Sequence, residues 1–170
     1  VSGDEEFGLV RYMPNGALDS SFGVGGTVVT LFPVIVGEQG HGGSVRSLAL
    51  EPDGQIVAAG GVYRDLYPDG SPEWGVAVAR YNIDGSLDTA FGNAGTVTTD
   101  VDNGGRGSSM AIQTDGKIVV TGNNGLVRYN ADGALDTSFD DDGIVLASAI
   151  GIGSGNAVVL QPSDGRIVIA

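Results

Sequence analysis

Three arginines, each followed by a tyrosine, recur along the chain with an aspartate eight residues further on. The pairs are Arg11 with Asp19, Arg80 with Asp88, and Arg128 with Asp136. A guanidinium and a carboxylate can form a bidentate ion pair, so the spacing allows two interpretations. The pairs form a ring of identical binding sites, or they lock each hairpin to its neighbour. We favour the structural role, because function belongs to particular sites and rarely to a repeated framework.

Aromatic and charged side chains are concentrated in residues 62–75, VYRDLYPDGSPEWG, which interrupt the repeated pattern. Rings beside carboxylates can stack on a sugar, and a pair of carboxylates can hydrolyse a glycosidic bond. Proline and glycine exclude a helix here, so we expect an elongated hairpin with Pro68-Asp69-Gly70 at its tip and its aromatic rings packed together. The candidate residues for contact with a glycan or protein are Tyr63, Arg64, Asp65, Tyr67, Asp69, Glu73 and Trp74.

Acidic residues cluster at two further places. Asp100 and Asp102 form one group, and Asp140, Asp141 and Asp142 form another. Calcium takes six to eight oxygen ligands from such loops, but the spacing is not that of an EF-hand. We therefore expect no cofactor other than calcium, whose removal would lower the melting temperature if these loops bind it.

Residues typical of enzyme centres are scarce. His41 is the only histidine and lies in a glycine-rich stretch, there is no cysteine, and no serine has a nucleophile-elbow motif. The glycines at 151, 153 and 155 lack the lysine and the helix of a phosphate-binding loop. We therefore expect a protein that is not an enzyme. The alternative is a carbohydrate-binding or carbohydrate-active protein that uses the loop at 62–75.

The composition excludes several classes of partner. With a net charge of −13 and an isoelectric point near 4.1, the surface repels nucleic acid and anionic lipid. The charge-free run between Asp142 and Asp164 is broken by Gly, Ser and Asn, so it predicts strand, loop and strand and no membrane insertion. The chain has 30 glycines, and a further 41% of its residues are hydrophobic, which indicates a folded chain with many turns.

The elements that position these residues form an alternating two-part repeat. One part contains the pattern RY…DG.LD..F, at 9–26, 78–95 and 126–143. The other is SLALEPDGQIVAAG (47–60), SMAIQTDGKIVVTG (109–122) and AVVLQPSDGRIVIA (157–170). Asn-Gly and Asp-Gly supply the positive φ angles of tight hairpin turns, and the Val- and Ile-rich runs between them predict about four strands per repeat. Within the first part, the recurring Leu and Phe are expected in the core: Leu18, Leu87, Leu135, Phe22, Phe91 and Phe139.

These runs are nearly continuous in apolar character, so both faces of each small sheet are expected to be covered. Four short strands per unit predict an all-β repeat protein, propeller-like with four-stranded blades and about three repeats. A β-solenoid and a β-sandwich are the alternatives. We expect a single domain over 1–170, with 62–75 as an inserted loop.

The motif RYNxDGxLDTxF followed by QxDGKIVVxG resembles the bacterial delta-60 repeat, a β-propeller-like repeat of secreted and surface proteins. The resemblance covers almost the whole chain. It implies an extracellular or cell-surface protein with a structural or adhesive role. The sequence departs from it at 62–75, and at FDDDG (139–143), where the other copies have FGVGG and FGNAG.

The chain reads as beginning and ending in half-repeats. When the C-terminal residues GRIVIA are placed before the N-terminal residues VSGDEEFGLVRY, the joined stretch matches the internal stretch GKIVVTGNNGLVRY. The first residue is Val1 and no signal peptide is visible, so we expect a chain that is processed or cut from a longer one. Complementary half-blades predict that the chain associates with itself head to tail, as a ring or a filament.

Overall fold

The computed structural model describes residues 7–32, 43–66, 72–102, 104–151 and 153–170. Twelve strands and one short helix are present in this part of the chain. They are β1 (Phe7–Val10), β2 (Thr27–Thr30), β3 (Gly43–Leu50), β4 (Ile56–Leu66), β5 (Pro72–Tyr81), β6 (Thr96–Thr99), β7 (Gly107–Ile112), β8 (Ile118–Gly122), β9 (Gly125–Tyr129), β10 (Ile144–Leu146), α1 (Ala147–Ile150), β11 (Val158–Leu160) and β12 (Ile167–Ile169). Among the described residues, no helix is long and apolar enough to cross a membrane.

The strands form four antiparallel sheets in chain order, two of them four-stranded and two of them two-stranded. Strands β3 to β6 make one four-stranded sheet and β7 to β10 make another; we call these blade 1 and blade 2. The pair β1–β2 matches the third and fourth strands of a blade, and we call it the N-terminal half-blade. The pair β11–β12 matches the first and second strands and is the C-terminal half-blade. The prediction of an all-β repeat protein with four-stranded blades is confirmed.

Apolar clusters between neighbouring sheets form the core. Val57 and Val78 of blade 1 pack with Val120 and Tyr129 of blade 2 in one cluster. A second cluster joins the N-terminal half-blade to blade 1, and a third joins blade 2 to the C-terminal half-blade. All five residues of β8 are buried, because a sheet between two others has no wet face.

Each complete blade has a bulge in its first strand, opposite a glycine in its second. The register shifts after Val45 in blade 1 and after Gly107 in blade 2. A Cβ atom at Gly60 would overlap the carbonyl oxygen of Ser44, and one at Gly122 would overlap that of Arg106. The close approach of the two backbones therefore requires glycine at both positions.

The two ends of each blade differ. One end, which we call the motif end, carries the turns between first and second strands and between third and fourth strands, at 51–55, 82–95, 113–117 and 130–143. The other end, which we call the variable end, carries the end of β4 at Leu66, the start of β5 at Pro72, the Asn123-Asn124 turn and α1. The recurring sequence motif therefore lies at one end of the sheets and the insertion at the other.

We expect Gly122→Ala to lower the free energy of unfolding by about 1–3 kcal/mol, because the added methyl group meets backbone that cannot move aside. Urea denaturation would measure it. Gly153→Ala is the matched control, since a Cβ atom there meets nothing within 4 Å. Equal unfolding midpoints for the two variants would contradict this account of the bulge.

Candidate functional site

The guanidinium group of Arg80 contacts four groups at the motif end of blade 1, one of which is the Glu51 carboxylate, whose Oε2 lies 3.6 Å from Nη1. Its Nε donates to Oδ2 of Asp88 at 2.8 Å, and its Nη2 lies 2.7 Å from the same oxygen. Its carbon lies 4.7 Å from the centroid of the Phe91 ring. Its Nη1 donates to the carbonyl oxygen of Ala131, in blade 2, at 2.7 Å. The arginine therefore orders its own hairpin and joins two blades.

Arg11 has the same arrangement one sheet earlier. Its Nε lies 2.8 Å from Oδ2 of Asp19, its guanidinium carbon lies 4.5 Å from the Phe22 centroid, and its Nη1 donates to the carbonyl of Ile83 in blade 1. The geometry of the two junctions is thus nearly identical. Such recurrence favours a framework role over a binding role.

Arg128 also contacts the aspartate and the phenylalanine of its own hairpin. Its Nε lies 2.7 Å from Oδ2 of Asp136, and its guanidinium carbon lies 4.3 Å from the centroid of Phe139. Within the described residues, no carbonyl of a neighbouring sheet accepts a hydrogen bond from it. The outward side of this junction is therefore open.

Backbone and hydroxyl groups complete each junction. The Gly23 and Gly92 N–H groups donate to the carbonyls of Asp84 and Asp132 in the following blade, at 2.7 and 2.8 Å. A buried tyrosine hydroxyl of each blade lies 2.8 Å from a threonine hydroxyl of the preceding fourth strand, Tyr81 with Thr30 and Tyr129 with Thr99. Hydrogen bonds therefore join neighbouring sheets both at the motif ends and within the apolar clusters, to which Tyr81 and Tyr129 belong.

A serine in the first strand of each complete blade adds a contact with the next sheet, nearer the middle of the strands. Ser47 Oγ accepts from the N–H of Met110 at 3.1 Å, and Ser109 Oγ accepts from the N–H of Val158 at 3.2 Å. Since the two serines are equivalent, these contacts follow the same repeat as the arginines.

Two residues that precede the second strands reinforce the carboxylates. Gln55 Nε2 donates to Oδ2 of Asp88 at 3.2 Å, and Lys117 Nζ donates to Oδ2 of Asp136 at 2.9 Å. Sequence analysis did not identify them, although both follow the Asp-Gly dipeptide of the second repeat part. Their recurrence after that dipeptide was the available signal.

The carboxylates at the junctions are stabilised in their ionised form. The Ser138 hydroxyl and then the Lys117 ammonium group hold the pKa of Asp136 well below its ordinary value. At Asp88, burial acts to raise the pKa, but the Ala90 N–H and the Arg80 and Gln55 side chains outweigh it, so the net pKa is lowered. Burial raises the pKa of the Tyr129 hydroxyl, which remains a donor. Each junction is therefore charged on its carboxylate side at neutral pH.

The candidate residues at 62–75 lie on the β4–β5 hairpin. Asp65 is opposite Glu73 in the register, after a bulge at Arg64. Tyr67 and Asp69 lie outside the described residues. The paired strands extend to Leu66 and Pro72, well beyond the corresponding Gly122 and Gly125 of blade 2.

The aromatic pair of this hairpin packs against blade 2. Tyr63 meets Trp74 edge to face, with centroids 5.9 Å apart and an interplanar angle of 82°. The Arg106 guanidinium carbon lies 3.4 Å from the Trp74 centroid, so a cation covers one face of the indole. That face offers no stacking surface for a sugar. No pattern in the sequence signalled Arg106, because its contact occurs once.

The acidic groups do not form a metal centre in the described part of the chain, where no three Asp, Glu or His side chains are grouped to hold an ion. Asp142 Oδ1 accepts from the N–H of Ile144 at 2.8 Å, within its own turn. Asp140 and Asp141 are exposed and have positive φ angles. Asp102 is exposed, and its carbonyl accepts from the Asn124 side chain. His41 lies outside the described residues.

The prediction that the recurring Leu and Phe residues lie in the core is confirmed for Phe22 and Phe91, which are buried. It is wrong for Leu18, which is half exposed because no blade packs on the outer face of the N-terminal half-blade. Phe139 is only partly buried, at the open third junction.

We expect Arg80→Ala to lower the free energy of unfolding by about 3 kcal/mol, because it leaves a poorly exposed carboxylate without its partner. Arg80→Lys is expected to lose part of this, since an ammonium group cannot reproduce the planar fork. Arg166→Ala, at an exposed ion pair, is the control and changes stability by less than about 0.5 kcal/mol. Chemical denaturation would measure all three, and an Arg80→Ala variant as stable as the wild type would refute the framework role.

The pKa of Asp136 predicts a pH dependence. Because this pKa is lowered in the folded state, its stabilisation is complete above the ordinary value of 3.8 and is lost as pH falls below that value toward the folded-state pKa. The stability difference between the wild type and Asp136→Asn should therefore be largest at neutral pH and shrink in acid. Urea titrations over a pH series would test this, and a difference that is constant with pH would contradict it.

Comparison with known proteins places this geometry in a family. The family model described as "Domain of unknown function (DUF5122) beta-propeller" matches residues 1–22, 51–91 and 113–139, just over half of the chain. These segments contain all three Arg–Asp pairs. No curated protein and no solved structure matched the chain. The repeated blades, joined at their motif ends by the same arginine contacts, belong to the DUF5122 beta-propeller family.

Proposed function

We propose that the chain is a non-enzymatic structural repeat module that associates head to tail through its half-blades. One observation carries the proposal: positions that are buried at each internal junction are exposed on the half-blade faces. Tyr81 and Tyr129 are 0% exposed, whereas the equivalent Tyr12 is 62% exposed. These faces have the chemistry of an internal junction and present it to solvent.

The turn glycines support the same proposal. At Gly85 and Gly133, the preceding sheet lies about 3 Å from where a Cβ atom would be. At the equivalent Gly16, nothing lies within 4 Å. A further blade can therefore pack here as blade 1 packs on the N-terminal half-blade.

The non-enzymatic part of the proposal rests on the roles of the repeated residues. The arginines, aspartates, phenylalanines and tyrosines of the motif contact one another or the next sheet. Substrate binding would compete with these contacts. A structural role uses them as they are.

The extracellular or cell-surface setting, and an adhesive role there, are parts of the proposal. They follow from the resemblance of the motif to the delta-60 repeats of secreted and surface proteins. An acidic surface with a net charge of −13 suits a soluble, exposed module.

Sedimentation velocity over a range of micromolar concentrations tests the association. We expect species larger than the monomer, growing with concentration. Leu48→Asp, on an exposed apolar position, should weaken association by at least about tenfold, or 1.4 kcal/mol. Val24→Asp is the control, because Val24 is exposed in a turn where the other copies have Asn93 and Asp141. A wild-type chain that stays monomeric at all these concentrations would refute the proposal.

A further inference from the structure

We infer that the open groove beside β1 binds the C-terminal half-blade of a second copy, so that β11–β12 of one chain and β1–β2 of another form one four-stranded blade. This inference deepens the proposed association and rests on it. It names the surface, the partner segment and the strand register.

The groove is mainly apolar. It has a volume of about 340 Å³, and its lining includes Leu9, Val10, Phe22, Leu48, Leu50 and Ile56. It lies between the N-terminal half-blade and the first strand of blade 1. Where two complete blades pack together, the first and second strands of the preceding blade fill this space.

The exposed residues of blade 1 show what this groove lacks. Leu48 is 58% exposed, whereas the equivalent Met110 and Val158 are 7% and 6% exposed. Met110 is covered by blade 1 residues that include Val57 and Ala49. A cover for Leu48 must therefore carry small apolar side chains at the positions of Val57 and Ala49.

The C-terminal half-blade carries such side chains, and they are exposed. Val168 corresponds to Val57 and Val159 to Ala49, by the register of the two hairpins. Val159 is 60% exposed and Val168 is 46% exposed. The association would bury four exposed apolar side chains against one another, since Leu50 is also exposed.

The register follows from the complete blades. Ala58 is opposite Ala79 in blade 1, and Val120 is opposite Val127 in blade 2. The equivalent residues of the half-blades are Ile169 and Val10. Ile169 of one copy should therefore lie opposite Val10 of the other, with Ile167 opposite Tyr12.

Charge supports this register. Gln55 and Lys117 bond to the carboxylates of Asp88 and Asp136 within their own blades. Arg166 holds the equivalent position in β12, with its side chain 78% exposed. In the joined blade it would reach Asp19 of the other copy.

The same association of two copies would also complete the open junction after blade 2, at Arg128. Arg11 and Arg80 donate to the carbonyls of Ile83 and Ala131, and the equivalent carbonyl for Arg128 is that of Pro14 in the other copy. Two departures weaken the contacts of the joined blade, the first where it meets blade 2 and the second where it meets blade 1. Ala147 stands where Thr30 and Thr99 accept the tyrosine hydroxyl, and Ala157 stands where Ser47 and Ser109 accept a backbone N–H.

Cysteine crosslinking tests the register, because the chain has no cysteine of its own. Cross-strand neighbours have Cα atoms within disulfide range. A chain carrying both Val10→Cys and Ile169→Cys should form disulfide-linked oligomers under mild oxidation. The control pair, Val10→Cys with Val168→Cys, is shifted by one residue, so the two side chains lie on opposite faces and should crosslink far less.

A charge variant gives a second measurement that does not depend on cysteine. Arg166→Glu should weaken self-association by about tenfold at low salt, without changing the melting temperature of the monomer, since Arg166 is exposed. Arg166→Gln should give a smaller loss.

The two proposals fail differently. Association without crosslinking at 10–169, or with equal crosslinking of the shifted pair, would overturn the groove and register but leave the proposed function standing. Association unaffected by Arg166→Glu would likewise count against this register. A monomeric wild type would remove both.

Discussion

The guanidinium group at the motif end of each blade is the contact on which the rest of this structure depends. At Arg11 and Arg80 it contacts a carboxylate of its own hairpin, the face of a phenylalanine ring and a carbonyl of the next sheet at the same time. Its planar shape fixes these partners in direction as well as distance. The spacing of neighbouring sheets at this end is therefore set by one side chain, and the apolar clusters fill the space that results.

Those clusters would not specify the arrangement alone. Valine and alanine faces can slide over one another at little cost, because apolar packing has no direction. The tyrosine–threonine and serine–backbone bonds are directional, and each fixes a different depth in the sheet. The tyrosine–threonine bonds are buried and the serine–backbone bonds are partly buried, so a displaced sheet would leave polar groups without hydrogen bonds. Apolar burial thus provides most of the stability and the polar contacts provide the alignment.

Sequence analysis predicted the elements that depend on local chemistry. The Asp-Gly turns and apolar runs predicted four strands per repeat, and the eight-residue spacing pointed to a carboxylate for each arginine within its own hairpin. The acceptors in the next sheet could not be predicted, because the carbonyls of Ile83 and Ala131 belong to residues whose side chains are irrelevant. The Arg106–Trp74 contact occurs once and joins two non-equivalent positions. The exposure of Leu18 depends on which sheets pack beside it, and the residue type alone does not encode this.

The separation of motif end and variable end has a consequence for how such blades diversify. Every contact that aligns the arginines lies at one end, and the β4–β5 hairpin grows from the other. Lengthening that hairpin adds paired strand beyond the last shared residues and changes no arginine contact. The scaffold can therefore accept peptide grafts between second and third strands, one per blade and all on the same side. It would serve as a display platform whose spacing between grafts is set by the blades themselves.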